Sequence, residues 1–177
     1  MTRLLLLSIA GACAAGIGLG GAQALRTRAA LLLALRTALS QMTDAMLLAS
    51  MPLPALLCGL GTGGHGARAD VGRVMARAGE LLEASPDLRF HAAFLAAAGE
   101  QRAGSLRALR AGDLEALSPW LELIGEGGMD QQRRALEGAA AAAERLEREA
   151  STRLPEQTRL CRTLGLAAGA ALVLLLW

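Results

Sequence analysis

The chain has 177 residues, of which 53% are hydrophobic, and its 18 basic and 16 acidic residues give a formal net charge of +2. All of the basic residues are arginine, so a Walker A phosphate-binding loop and a Schiff-base lysine are excluded. The near-neutral charge, the lack of tyrosine and the presence of only two Phe and two Trp argue against a nucleic-acid-binding surface.

The first apolar segment, Leu4–Leu25, contains no charged residue. About 20 residues of this kind in a helix span the hydrocarbon core of a bilayer, and a spanning segment must pair its own backbone amides. We therefore predict an N-terminal transmembrane anchor over residues 1–25. A cleaved signal peptide stays open as an alternative, because Ala22-Gln23-Ala24 fits a cleavage site, although the apolar run is longer than that of a signal peptide.

The chain ends in a second uncharged segment, Thr163–Trp177, which we predict to be a C-terminal transmembrane segment. At about 15 residues it is short for a full span. Three alternatives stay open: the bilayer is thinner around the segment, the segment also includes Leu160 and Cys161, or it is only a membrane-inserted tail. Arginines flank both apolar segments on the side of the middle region, and such residues are in excess in cytoplasmic loops. Residues 26–162 are therefore expected to be cytoplasmic.

The middle region begins with an amphipathic helix, Arg26–Met51, in which apolar residues recur every three or four positions. Pro52 ends this helix, because a proline forces the preceding residue out of the helical conformation. Pro54 suits the first turn of a short helix that ends at Leu60. The glycine-rich stretch Gly59–Gly66 is predicted to be a loop.

Further helices are predicted from apolar spacing and from capping residues, and Gly125–Gly128 forms a second predicted loop. Alternating polar and apolar residues, which would indicate strands, do not occur. The sequence therefore predicts an all-α helical bundle flanked by N- and C-terminal membrane helices. The remaining predicted helices are Ala67–Ala84, one from a Ser85 cap to Ala98 with a stop at Gly99, Ser105–Arg110, Leu114–Ile124 with an Asp113 cap, and Met129–Leu154 before an interruption at Pro155.

No residue pattern indicates catalysis. The two histidines, His65 and His91, have no cysteine, histidine or acid at a convincing metal-ligand spacing. A nucleophile, a base and an oxyanion site are not assembled by any motif. We therefore predict no catalytic, cofactor-binding or metal site and a non-enzymatic protein; an enzyme that depends on His65 or His91 is the alternative.

Several short motifs occur in an order that resembles a known family. Ser50-Met51-Pro52-Leu53-Pro54-Ala55-Leu56 resembles a T-P-L-P-x-A-L turn, and the stretch from Gly125 to Asp130 is similar to a repeated Leu-Gly before Asp. Arg159–Gly165 resembles a basic Leu-Gly entry into a final membrane segment. Together these motifs resemble the stage III sporulation protein AB family of endospore-forming bacteria. Met51 replaces the family's usual Thr, and Phe94 replaces its usual Trp.

The resemblance implies a helical bundle similar to the cytoplasmic domains of F-type inner-membrane proteins of type II secretion and type IV pilus systems. It implies a structural platform subunit of the channel complex between mother cell and forespore, with the soluble domain on the mother-cell side. The implied partners are the membrane, a secretion-type ATPase and other sporulation channel proteins, with neither nucleic acid nor a small-molecule substrate. An exported helical binding protein with a cleaved signal is the alternative.

The resemblance also singles out two sets of residues, to which no catalytic role is attached. The first is the turn formed by Pro52, Leu53 and Pro54, which is expected to be structural. The second is a loop, which is expected to have a structural role or to contact a partner. Its residues are Gly125, Gly127, Gly128 and Asp130.

Overall fold

The computed structural model describes the backbone of residues 2–49, 52–61, 64–85, 87–101 and 104–176. Side chains are described at residues 20–46, 52–61, 64–85, 87–101, 104, 106–161, 163–164, 167 and 171.

Helices and the turns between them make up the whole described backbone, which contains no strand, so the predicted all-α class is confirmed. A short 3₁₀ helix, Ser105–Ala108, lies between α4 and α5. The α-helices are α1 (Thr2–Ala49), α2 (Leu53–Leu60), α3 (Ala67–Ala84), α4 (Phe90–Gln101), α5 (Ala111–Leu121) and α6 (Met129–Leu176).

Local sequence explains most of the helix starts. Pro52 is extended, with φ −61° and ψ 140°, and α2 begins at the next residue. Gly66, at φ +60°, precedes α3 in a conformation that favours glycine. Asp113 was predicted to cap α5 from outside, but it lies in the first turn, where its carboxylate accepts a hydrogen bond from the backbone N–H of Arg110 at 2.9 Å. The same side chain therefore stabilises a helix start three residues earlier than predicted.

The predicted bounds of α4 are wrong at both ends. The backbone at Ser85 is extended, and its N–H bonds to the carbonyl of Leu81, so this residue ends α3 instead of starting α4. At the other end Gly99 stays helical. Ala97 and Ala98 are buried in the core just before it, and their packing outweighs the cost of about 1 kcal/mol for a glycine in a helix.

The helix α6 is longer than predicted, because it continues through Pro155. A proline removes one backbone hydrogen bond, and the helix extends on both sides of that gap. Its buried residues are mainly alanine: Leu136 is buried together with Ala135, Ala139, Ala142, Ala143 and Ala150.

The chain divides into two compact units. The larger unit, Ala29–Arg148, contains the core formed by residues of all six α-helices. Its side chains with almost no exposure include Leu31, Leu32, Leu39, Met42, Leu57, Met75, Leu117, Leu121 and Leu136. The ring of Trp120 on α5 lies directly over Gly138 of α6, where a Cβ atom would collide with it.

The smaller unit combines the first residues of the chain with Glu149–Trp177. Ala22 and Thr158 are buried in it, and a Cβ atom built on Gly21 would lie 3.4 Å from Sγ of Cys161. The first and last helices therefore approach each other closely through small residues within this unit.

The predicted membrane segments, residues 1–25 and 163–177, lie largely outside the described side chains. In the part of the chain that could be searched, no helix is both long enough and apolar enough to cross a membrane.

An ion-pair cluster joins α3 to α4 in the larger unit. The guanidinium of Arg77 contacts Glu100 through Nε at 2.9 Å and Glu80 through Nη1 at 2.9 Å. The hydrogen bond from Arg77 holds the pKa of Glu100 below its usual value. A lowered pKa contributes stability above the carboxyl's unfolded pKa, and that contribution disappears as the pH falls through the folded-state pKa.

We expect Glu100→Gln to lower the unfolding midpoint slightly at neutral pH, because this pair is solvent-exposed. The difference from the parent protein should shrink in acid, because protonation of the Glu100 carboxylate removes its ion pair with Arg77. Thermal unfolding followed by circular dichroism at neutral and at acid pH measures it. The control is Glu115→Gln, at an exposed position of α5. A stability difference between Glu100→Gln and the parent that persists in acid would contradict this account.

Candidate functional site

Two glycines of α3 hold α2, and with it the predicted turn, close to the rest of the larger unit. A Cβ atom on Gly72 would lie 2.8 Å from the carbonyl oxygen of Leu60. A Cβ atom on Gly79 would lie 2.9 Å from both the carbonyl oxygen of Pro54 and Sγ of Cys58. Because both contacts are closer than a side chain allows, glycine at these positions lets α2 lie directly against the backbone of α3.

Pro52, Leu53 and Pro54 line a cleft at the end of the larger unit where α1 ends and α6 begins. We call this the turn cleft; its volume is about 690 Å³. Gly125 of the predicted loop lines it as well, and a Cβ atom there would lie 3.6 Å from Cδ2 of Leu53. Two motifs about 70 residues apart in the sequence therefore meet at one cleft. Met51, which precedes the turn, lies outside the described residues.

The other predicted loop residues lie beside the turn cleft. Gly127 and Gly128 are exposed, and the carbonyl of Gly128 accepts the backbone N–H of Gln132 at 3.1 Å at the start of α6. Asp130 is in the first turn of α6 and lines a smaller cavity of about 50 Å³. Met129 and Met46 line both cavities, so the two are continuous along one surface.

Polar contacts fix the wall of the turn cleft where α4 begins. Nε of Arg89, just before α4, lies 3.1 Å from Oε1 of Glu126 in the loop before α6. Two residues further along the chain, Nε2 of His91 lies 2.8 Å from Oγ of Ser118 on α5. The first contact joins two segments of the cleft wall, and the second, outside the cleft lining, joins α4 to α5.

His91, Ser118 and Glu122 form a small polar cluster, but its geometry is not that of a catalytic triad. Nδ1 of His91 lies 3.9 Å from Oε1 of Glu122, beyond hydrogen-bond distance, while the hydroxyl of Ser118 donates to Glu122 at 3.3 Å. The carboxylate therefore does not orient the imidazole as a catalytic third residue would. Among the residues that were searched, no group of three His, Cys, Asp or Glu side chains could hold a metal ion.

Sequence reasoning missed much of the cleft's lining. Leu82 and Leu88 come from the end of α3 and the turn before α4, and Phe90 and Ile124 lie on the adjoining core surface. Ser85 ends α3, and residues on both sides of it, Leu82 and Leu88, line the cleft. The sequence analysis interpreted Ser85 as the start of a helix instead. Which apolar residues line the cleft depends on the packing of five separate segments of the chain.

The loop residue Gly127 should tolerate substitution poorly. Its φ is +76°, a conformation that costs about 1–2 kcal/mol for a residue with a Cβ atom, and a Cβ there would collide with Gln131. We expect Gly127→Ala to lower the free energy of unfolding by about 1 kcal/mol in urea titrations. Gly128→Ala is the matched control, because nothing lies within 4 Å of its Cβ position. Equal effects at both positions would refute the backbone explanation.

Comparison with known proteins agrees with the sequence motifs. No curated protein and no solved structure matches the chain. The protein-family model of stage III sporulation protein AB matches residues 3–177, which is essentially the whole chain. The resemblance inferred from the turn and the loop is thereby confirmed: the chain belongs to the stage III sporulation protein AB family and is a sporulation-related protein.

Proposed function

We propose that this protein is a structural platform subunit of the channel complex between mother cell and forespore, without catalysis of its own. The observation that carries the proposal is the meeting of the family's turn and loop at the turn cleft. The turn and the loop are adjacent there, so a partner bound at the turn cleft would contact both motifs at once.

The partner in this proposal is the cytoplasmic secretion-type ATPase, with other sporulation channel proteins around it. The larger unit would receive the ATPase and transmit its movements mechanically. The tied wall of the turn cleft supports this role, because the 3.1 Å pair between Arg89 and Glu126 joins two segments that a partner would touch together.

The proposal includes two membrane segments, at residues 1–25 and 163–177, that hold the larger unit on the cytoplasmic, mother-cell face. The uncharged runs Leu4–Leu25 and Thr163–Trp177, and the arginines on their inner flanks, support this arrangement. Leu160 and Leu164 of the smaller unit are more than half exposed, which suits a surface that meets lipid.

Binding to the ATPase tests the proposal directly. The full-length protein, purified in mild detergent, would be titrated with the secretion-type ATPase from the same organism and followed by light scattering or surface plasmon resonance. Saturable binding is the expected result. An absence of binding at both low and moderate salt would contradict the ATPase contact.

Genetic deletion tests the broader role. We expect deletion of the gene to block spore development after engulfment, and normal spores from the deletion strain would overturn the platform function. The intact mass of the protein from cell membranes separates this proposal from the exported alternative. A mature chain that begins near Leu25 would indicate a cleaved signal instead of an anchor.

A further inference from the structure

The charges around the turn cleft are not balanced. Both arginines on this surface are engaged: Arg89 pairs with Glu126 at 3.1 Å, and Nε of Arg133 lies 3.1 Å from Glu137. Asp87 lines the turn cleft and Asp130 lines the smaller cavity beside it.

Neither aspartate forms an ion pair with any residue that the structure describes. Carboxylates are charged at neutral pH, so Asp87 and Asp130 leave two unmatched negative charges at the rim. A partner that binds here is therefore expected to bring positive charge.

The surface between the two aspartates is apolar and accessible. Met129 is 56% exposed, although it is a large hydrophobic residue, and it lies between the turn cleft and the smaller cavity. Leu53 and Met46 continue the apolar surface. Methionine side chains adapt their shape to a partner at low cost, which suits a docking surface.

The secondary structure around the cleft limits how a protein can bind. Every described element that lines it is a helix or a turn, so no strand edge is offered for backbone pairing. Side chains must supply the contacts, as they do when an amphipathic helix lies in a groove. Such a helix presents apolar residues three or four positions apart to the groove.

We infer that the turn cleft and the cavity beside it bind an amphipathic helix of a protein partner. Its apolar side chains cover Leu53 and Met129, and its lysine or arginine side chains pair with Asp87 and Asp130. This inference rests on the proposed function, in which the larger unit docks a protein, and it adds the chemistry that the partner must have.

Photo-crosslinking in the full-length protein identifies the occupant. Met129 is replaced by benzoylphenylalanine in sporulating cells, and the adduct is mapped by mass spectrometry. We expect a segment with apolar residues at helical spacing and at least two lysines or arginines. The same probe at Glu115, which is exposed and lines neither cavity, should not capture that segment. No adduct from position 129 in cells that complete sporulation, an adduct with a small molecule or lipid, or capture of an acidic segment would each overturn the inference.

Removing the charges of Asp87 and Asp130 tests independently whether these two carboxylates contact the partner. We expect the Asp87→Asn/Asp130→Asn double variant to bind the ATPase about tenfold more weakly than the parent protein at low salt. The difference in affinity between the parent protein and the double variant should shrink as the salt concentration is raised. Glu115→Gln should bind the ATPase as tightly as the parent does. Unchanged thermal unfolding of the double variant would show that the loss is not due to misfolding.

The outcomes separate this inference from the proposed function. ATPase binding that is unaffected by the double variant would leave the platform function standing and refute the inference. A basic amphipathic helix captured from a different protein would support the inference, and it would remove the ATPase from the proposed function.

Discussion

Replacing Gly79 with valine is expected to lower the free energy of unfolding by about 3 kcal/mol. A Cβ atom at this position would lie 2.9 Å from the Pro54 carbonyl oxygen and 3.1 Å from Cβ of Leu57. The carbonyl belongs to the backbone and cannot move aside as a flexible side chain does. The valine must therefore push α2 away from α3 and open part of the core, which urea unfolding followed by circular dichroism would measure.

Gly99→Val is the matched control for this prediction. Gly99 is also helical, but it is exposed, and nothing lies within 4 Å of its Cβ position. Its substitution should change stability by less than about 1 kcal/mol. If both variants lose the same stability, the close approach of α2 to α3 is not what makes Gly79 necessary.

The second large effect is expected at Phe94, where Phe94→Ala should cost about 3–5 kcal/mol of stability. The side chain is only 3% exposed, and its ring lies 6.0 Å from the ring of Phe90, tilted by 35°. Truncation removes a large buried surface and leaves a cavity that the surrounding helices can fill only partly.

Leu95 provides the control for Phe94, because it is the next residue on the same helix and is 39% exposed. Leu95→Ala should cost about 1 kcal/mol or less, since little apolar area returns to water. The two variants are compared by urea unfolding midpoints and slopes. Similar losses at positions 94 and 95 would mean that helix propensity, not burial, dominates in α4.

The sequence predicted local structure well wherever local signals decide it. The α3 helix was predicted with its observed bounds, Ala67–Ala84, because its apolar spacing is regular and glycine precedes it. Predictions failed where tertiary packing overrides a local signal. Ser85 resembles a cap but ends α3, Gly99 is held in a helix by its buried neighbours, and α6 continues through Pro155.

The candidate site was only partly predictable for a related reason. The turn of Pro52, Leu53 and Pro54 and the loop at Gly125 were each identified from sequence motifs. Their meeting depends on how α2 packs on α3 at Gly72 and Gly79. The spacing of seven residues puts both glycines on one face of α3, but it does not say which helix lies against that face. The ion pair between Arg89 and Glu126 is equally non-local.

The position of Trp120 makes its intrinsic fluorescence a reporter of the packing between α5 and α6. The chain has two tryptophans, Trp120 and Trp177, so Trp177→Phe leaves a single emitter. Its indole rests on Gly138 of α6 and is 37% exposed, which places the fluorophore at the boundary between α5 and α6. Indole emission shifts with hydration, so a small separation of these two helices would register as a red shift. Movements that a bound partner imposes at the start of α6 would thus be visible in real time, without any attached label.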